Sequence, residues 1–136
     1  AKLMKELSFL FLVSLFLPTG SPVGEIIAAK DTKLIDAIIY VESRGDSMAY
    51  NIGEDAVGVL QIRPIMLREV NRLLGYDRYN LKDRWSKAKS IEMFEVIRKN
   101  TDNPTDEILA RNWNGGWKGY KKKSTLKYWN KVRKEL

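Results

Sequence analysis

A chain of 136 residues, 44% apolar and 30% charged, is long enough to bury one core without metal or disulfide support and too apolar to remain unfolded. It has neither histidine nor cysteine, which excludes Ser-His-Asp and Cys-His triads, thiol nucleophiles, disulfide scaffolds and His- or Cys-based metal sites. Acid–base chemistry near neutral pH is left to carboxylates, or to a lysine or tyrosine with a shifted pKa, and no cofactor or metal is called for. The net charge of +7 is concentrated at the end, where Arg111 to Leu136 holds nine Lys or Arg against one acid, Glu135. Such a basic face suits a polyanionic partner: nucleic acid, anionic lipid or an acidic wall polymer.

The N-terminus differs from the rest. Lys2 and Lys5 precede an eleven-residue, mostly apolar run from Leu7 to Leu17, and Pro18-Thr19-Gly20-Ser21 breaks it. That run is too short to span a bilayer but has the length and flanks of a secretory signal, with cleavage near Gly20-Ser21 or at Ile27-Ala28-Ala29. A buried N-terminal helix is the alternative. No cysteine is present to be acylated as a lipoprotein anchor. Residues 1–29 are thus expected to be a signal segment and 30–136 the working domain, exported and monomeric, with no stable membrane span.

From Asp31 the pattern is mostly helical. Asp31 or Thr32 is expected to cap a helix over Lys33 to about Ser43, stopped by Gly45. A turn-rich stretch, Asp46 to Asp55, leads to Ala56-Val57-Gly58-Val59-Leu60-Gln61-Ile62, which fits either a strand or a tight turn entering a helix. Pro64 suits the first position of a helix bearing Leu67, Val70, Leu73 and Leu74, with Gly75 as its stop. Asp83 is expected to cap a helix holding Trp85, Ala88, Ile91, Val96 and Ile97. Thr105 starts a shorter one to about Trp113, and Ser124 caps the last, with Leu126, Tyr128, Trp129, Val132 and Leu136 on its apolar side. The expected fold is α+β and predominantly α-helical, with at most a small β-hairpin.

Ile35, Ile38, Ile39 and Glu42 fall at i, i+3, i+4 and i+7, one face of the first helix. A carboxyl on that stripe is desolvated, which raises its pKa toward the range of a general acid at near-neutral pH. Periodicity alone also allows Glu42, in the last turn, to face solvent. Gln61, polar within an apolar run, needs a partner if buried. Gly58 is read as permitting a close backbone approach, and Gly115-Gly116 as turn chemistry.

Four segments in order carry a resemblance. Glu42-Ser43 looks like the glutamate-serine signature of the soluble lytic transglycosylase (SLT) family of the lysozyme-like superfamily. Gly58-Val59-Leu60-Gln61-Ile62 is similar to its Gly-Leu-Met-Gln segment. Asn112-Trp113-Asn114-Gly115-Gly116 resembles its Ala-Tyr-Asn-Ala-Gly segment. The stretch Thr125 to Val132 looks like its closing Thr-Arg-x-Tyr-Val-x-Lys-Val. The resemblance covers residues 31–134. It implies a lysozyme-like fold with the hairpin beside the groove, and cleavage of the bond between N-acetylmuramic acid and N-acetylglucosamine in peptidoglycan, at the bacterial cell wall. Glu42 would be the catalytic acid and then base, and Ser43, Gln61, Trp113, Asn114 and Tyr128 would contact substrate. The substrate's 2-acetamido group would stabilise the cation, so no second carboxylate is required.

Two departures matter. Leu60 stands where the family has methionine, and the Asp46 to Asp55 loop is about one residue longer than its commonest form and carries Glu54 and Asp55. Lysozymes often place a second carboxylate in this region, so Glu54 or Asp55 would allow hydrolysis by water instead. Two further classes compete: a wall-binding module without catalysis, which the retained Glu42 argues against, and a nucleic-acid binder, suggested by Lys121-Lys122-Lys123 among Trp117, Tyr120 and Tyr128. A secretion signal disfavours the latter, and no nucleic-acid partner is expected.

Overall fold

In the computed structural model the described residues are 22–136. The chain divides into two units, residues 1–31 and residues 32–136. Helix α1 covers Pro22–Ser43. It therefore does not start at a cap on Asp31 or Thr32 as expected. Pro22 supplies the fixed φ favoured at a first helical position. No glycine or proline interrupts the segment between Gly24 and Gly45, and an internal Asp or Thr costs only a few tenths of a kcal/mol (about 0.5). The Ile27-Ala28-Ala29 cleavage candidate falls inside this helix, and the apolar run 7–17 with Gly20-Ser21 lies outside the described residues.

The second unit is α+β and mostly helical. Ile35, Ile38 and Ile39 on α1 are buried, as their spacing implies. They meet Val59, Leu60 and Ile62 from the segment after the hairpin, Leu67 and Val70 of the next helix, and Met93, Phe94, Leu109 and Trp113 beyond it. Each such side chain, taken fully out of water, contributes about 1.5–3 kcal/mol.

Strands β1 (Tyr50–Asn51) and β2 (Ala56–Val57) pair antiparallel, Tyr50 opposite Val57 and Asn51 opposite Ala56. Val57 also bridges to Ile62 around the turn Gly58 to Gln61. The segment 56–62 is thus both things its sequence allowed, strand first and tight turn second. Gly58 has φ +80°, and a Cβ there would overlap the carbonyl oxygen of Arg84, so glycine meets a close backbone approach.

Helix α2 runs Pro64–Leu74 and closes on Gly75 at φ 82°, whose N–H donates to Asn71 and Arg72 carbonyls. Both ends agree with the sequence because both signals are local. Asp83, by contrast, does not cap the next helix. It is the third residue of a 3₁₀ turn, Leu81–Trp85, where it completes a capping box with Asn80. The extended backbone of Ser86 follows, and the Ser86 hydroxyl accepts from Lys89 N–H to start α3 (Lys87–Lys99).

Thr105 caps α4 (Asp106–Gly115), accepting from Ile108 N–H. Two 3₁₀ turns, Gly119–Lys121 and Lys123–Thr125, lead into α5 (Leu126–Arg133). Ser124 does not cap α5. Thr125 precedes it without a side-chain cap, its hydroxyl 2.7 Å from Gly119 O and accepting from Arg111 Nε at 2.9 Å. Of the expected apolar side of α5, Val132 is buried and Tyr128 and Trp129 pack partly on the core, while Leu126 and Leu136 are exposed. A helix of two turns has only a narrow stripe to bury. Among the described residues no helix is long and apolar enough to cross a membrane.

Candidate active site

Glu42 sits one residue before the end of α1, and its position on the apolar stripe brings the carboxyl to the wall of a mostly polar pocket of about 170 Å³. Asn51 and Glu54 come from the hairpin, Gln61 from the turn, Arg63 and Met66 from the start of α2, and Trp113 and Asn114 from the end of α4. Tyr128, the third residue of α5, does not line the pocket but donates its hydroxyl to Glu42 Oε1 at 2.8 Å.

Burial raises the pKa of Glu42 above the usual carboxyl range, and this outweighs the other influences. The Tyr128 hydroxyl and the charge of Arg63 act in the opposite direction, and the charge of Glu54 adds to the rise. Tyr128 is itself pushed well above the normal phenol range, first by burial and then by the facing Glu42, so it remains a proton donor. The result is a carboxyl that holds its proton longer than an exposed one and is oriented by a fixed hydroxyl. A general acid needs both properties.

The other sequence candidates separate into those at the pocket and those behind it. Gln61 lines the pocket at φ +49°, and its Nε2 donates to Ala49 O (3.1 Å) and Gly58 O (3.0 Å). Both amide protons are committed to the turn, which leaves Oε1 to accept from a ligand. Asn114 is exposed on the pocket rim. Trp113 is 4% exposed, stacks obliquely on Phe94 with centroids 5.0 Å apart, and donates Nε1 to Leu60 O at 3.1 Å. It offers the pocket an edge of a core side chain.

Ser43 is not among the pocket-lining residues. Its hydroxyl lies 2.8 Å from Val59 O and 3.1 Å from Ile39 O, and it accepts from Gly45 N–H, which ties the end of α1 to the turn carrying Gln61. The two acids of the hairpin loop also part company. Glu54 lines the pocket with Glu42. Asp55 points to the buried Arg84, 3.5 Å from Nη2, and does not line it.

Sequence reading missed Arg63 and Asn51. A signal for Arg63 was present: a residue before proline is driven to extended backbone, here φ −88° and ψ 155°. That breaks the helical direction and turns the side chain toward the pocket. The pocket continues into a larger groove of about 430 Å³ that shares Arg63, Met66, Trp113 and Asn114 with it and extends along Ile65, Glu69 and Trp117.

Comparison with known families matches the transglycosylase SLT domain over residues 27–128, three quarters of the chain. The chain belongs to that family. The match runs from α1 through Tyr128, so it contains every residue of the pocket just described. SLT domains are transglycosylases that act on peptidoglycan. No curated protein and no solved structure matches the chain. The aromatic and basic residues that suggested a nucleic-acid groove have separate partners in this SLT domain: Tyr128 meets Glu42, Trp117 meets Glu69, and Lys121 lies over the Tyr120 ring.

Proposed function

We propose that this SLT domain is a lytic transglycosylase cutting the β-1,4 bond from N-acetylmuramic acid to N-acetylglucosamine, with Glu42 as acid and then base. The observation that carries this reading is the Glu42 carboxyl itself, desolvated and held by Tyr128 at 2.8 Å in a polar pocket opening onto a groove. Protonated Glu42 gives its proton to the glycosidic oxygen as the bond to C1 breaks. The substrate's 2-acetamido oxygen stabilises C1. Glu42, now a carboxylate, takes the proton of the sugar's 6-hydroxyl, and O6 closes on C1 to leave a 1,6-anhydro end. The cycle returns Glu42 protonated and consumes no water. Gln61 Oε1 and the Asn114 amide are the proposed partners of sugar hydroxyl and acetamido groups.

One observation favours a second outcome. Glu54 lines the same pocket as Glu42 and is a carboxylate suited to orient water, which would make the enzyme a muramidase. Asp55, paired with Arg84, is not suited to that role. Mass spectrometry of digested sacculi separates the two. Anhydro-muropeptides that vanish with Glu42→Gln support the first reading, whereas reducing-end products from the wild type refute it. We further propose that the chain works as an exported monomer at the cell wall, with residues 1–29 serving as the export signal. Its basic C-terminal face would meet the anionic glycan.

A further inference from the structure

The groove beside the catalytic pocket contains a contact that the acid–base chemistry does not use. Trp117, in the loop after α4, is 39% exposed and lines this groove. Its indole Nε1 donates to Glu69 Oε1 on α2 at 2.8 Å. Glu69 is in turn gripped by Arg72, Nε to Oε2 at 2.9 Å and Nη2 to Oε1 at 2.6 Å. These partners hold Glu69 as a carboxylate, its pKa lowered by Arg72 first and by Trp117 to a smaller degree.

The arrangement is costly for a surface residue without a task. An exposed indole surrenders solvent contact and rotamer freedom, and a single hydrogen bond in water returns little (about 1 kcal/mol). Of the tryptophans near the groove, Trp113 is locked in the core, so Trp117 is the indole with a face to offer. A flat, electron-rich ring held at its edge by Glu69 suits the C–H face of a pyranose, whose hydrogens carry partial positive charge. We propose that Trp117 is a stacking platform for a sugar ring one or more units from the scissile bond, and that Glu69, clamped by Arg72, is the residue that positions it.

This inference rests on the glycan-cleaving reading, so its test is separated from turnover. In a Glu42→Gln background, which binds without cutting, chitotetraose is titrated and tryptophan fluorescence followed. The parent is expected to show a saturable change. Trp117→Ala should abolish most of that change and weaken binding about tenfold or more, in line with the worth of a base–aromatic stack. Trp117→Phe, which keeps a ring and tests for misfolding but lacks the N–H that Glu69 accepts, should lose the signal and weaken binding several-fold by calorimetry, as Glu69→Ala does and less than the alanine. Glu69→Ala should keep the signal and weaken binding several-fold, with rescue by Glu69→Gln, whose amide oxygen still accepts from the indole. Equal affinity of parent and Trp117→Ala overturns the platform, as does a parent that gives no response to the tetrasaccharide. Glu69→Ala binding as the parent does removes the positioning role. Failure of wild-type protein to lyse sacculi, with the binding pattern intact, would instead strike the catalytic reading.

Discussion

Arg84 should be the most sensitive single position for the hairpin side of the site. Its side chain is 6% exposed, with Nε donating to Leu81 O at 3.0 Å and Nη1 to Asp55 O at 2.7 Å and Ile62 O at 3.1 Å. The Asp55 and Ile62 carbonyls flank the segment carrying Gln61, and Asp55 follows Glu54 in the hairpin loop. The ion pair with Asp55 is secondary: 3.5 Å long, with the acid 46% exposed. Arg84→Met fills much of the same volume but withdraws every donor. Hydrogen bonds from charged donors are worth about 1.5–3 kcal/mol each, and relief of the guanidinium's own desolvation offsets part of that, leaving a net loss of about 3–5 kcal/mol. With a urea m-value of about 2 kcal/mol per molar, the unfolding midpoint should fall by about 2 M. Asp55→Asn keeps the backbone acceptors and should cost no more than about 1 kcal/mol. Tryptophan-monitored urea unfolding of both variants decides the matter. If Arg84→Met falls by less than about 0.5 M, or Asp55→Asn by as much as Arg84→Met, the carbonyl-clamp reasoning is wrong.

The charges around Glu42 make opposite predictions for the pH profile of kcat/KM, whose alkaline limb follows the protonated acid. Tyr128→Phe and Arg63→Gln each remove an influence that lowers the Glu42 pKa, so the limb should move to higher pH, whereas Glu54→Gln should move it lower. Shifts in one common direction would contradict this assignment. Because burial raises the Glu42 pKa on folding, its contribution to stability is full below the unfolded value near 4.5 and is lost as pH rises through the folded value. Glu42→Gln should therefore gain stability relative to wild type from acid to neutral pH in thermal melts, and a constant offset would be the contrary result. Gly58→Ala forces a methyl onto the Arg84 carbonyl at φ +80° and should destabilise by about 2–4 kcal/mol, read by the same urea assay, with a change below about 0.5 kcal/mol counting against the close approach.

What the sequence determined by itself is what depends on neighbours along the chain. Pro64 and Gly75 bounded α2, Thr105 opened α4, and the 3.6-residue stripe of Ile35, Ile38 and Ile39 turned toward the core, carrying Glu42 to its edge. Absence of histidine and cysteine had already reduced the acid–base candidates to carboxylates, lysine and tyrosine. Local signals failed where two were equally good: Asp83 and Ser86 are both cap residues three positions apart, and which one starts α3 depends on the 3₁₀ turn that Asn80 closes first. They failed again for Ser43, whose hydroxyl is spent on Val59, sixteen residues away.

Only the tertiary structure decided the rest. Tyr128 and Glu42 are 86 positions apart and meet because α5 packs on α4, whose end lines the same pocket as Glu42. The same packing set Glu54 into the pocket while Arg84 drew its neighbour Asp55 away. Local backbone preferences and periodicity report which way a side chain leaves its own element. What it meets there, and therefore whether a carboxyl becomes an acid, a clamp or a bystander, is set by elements that the chain reaches much later.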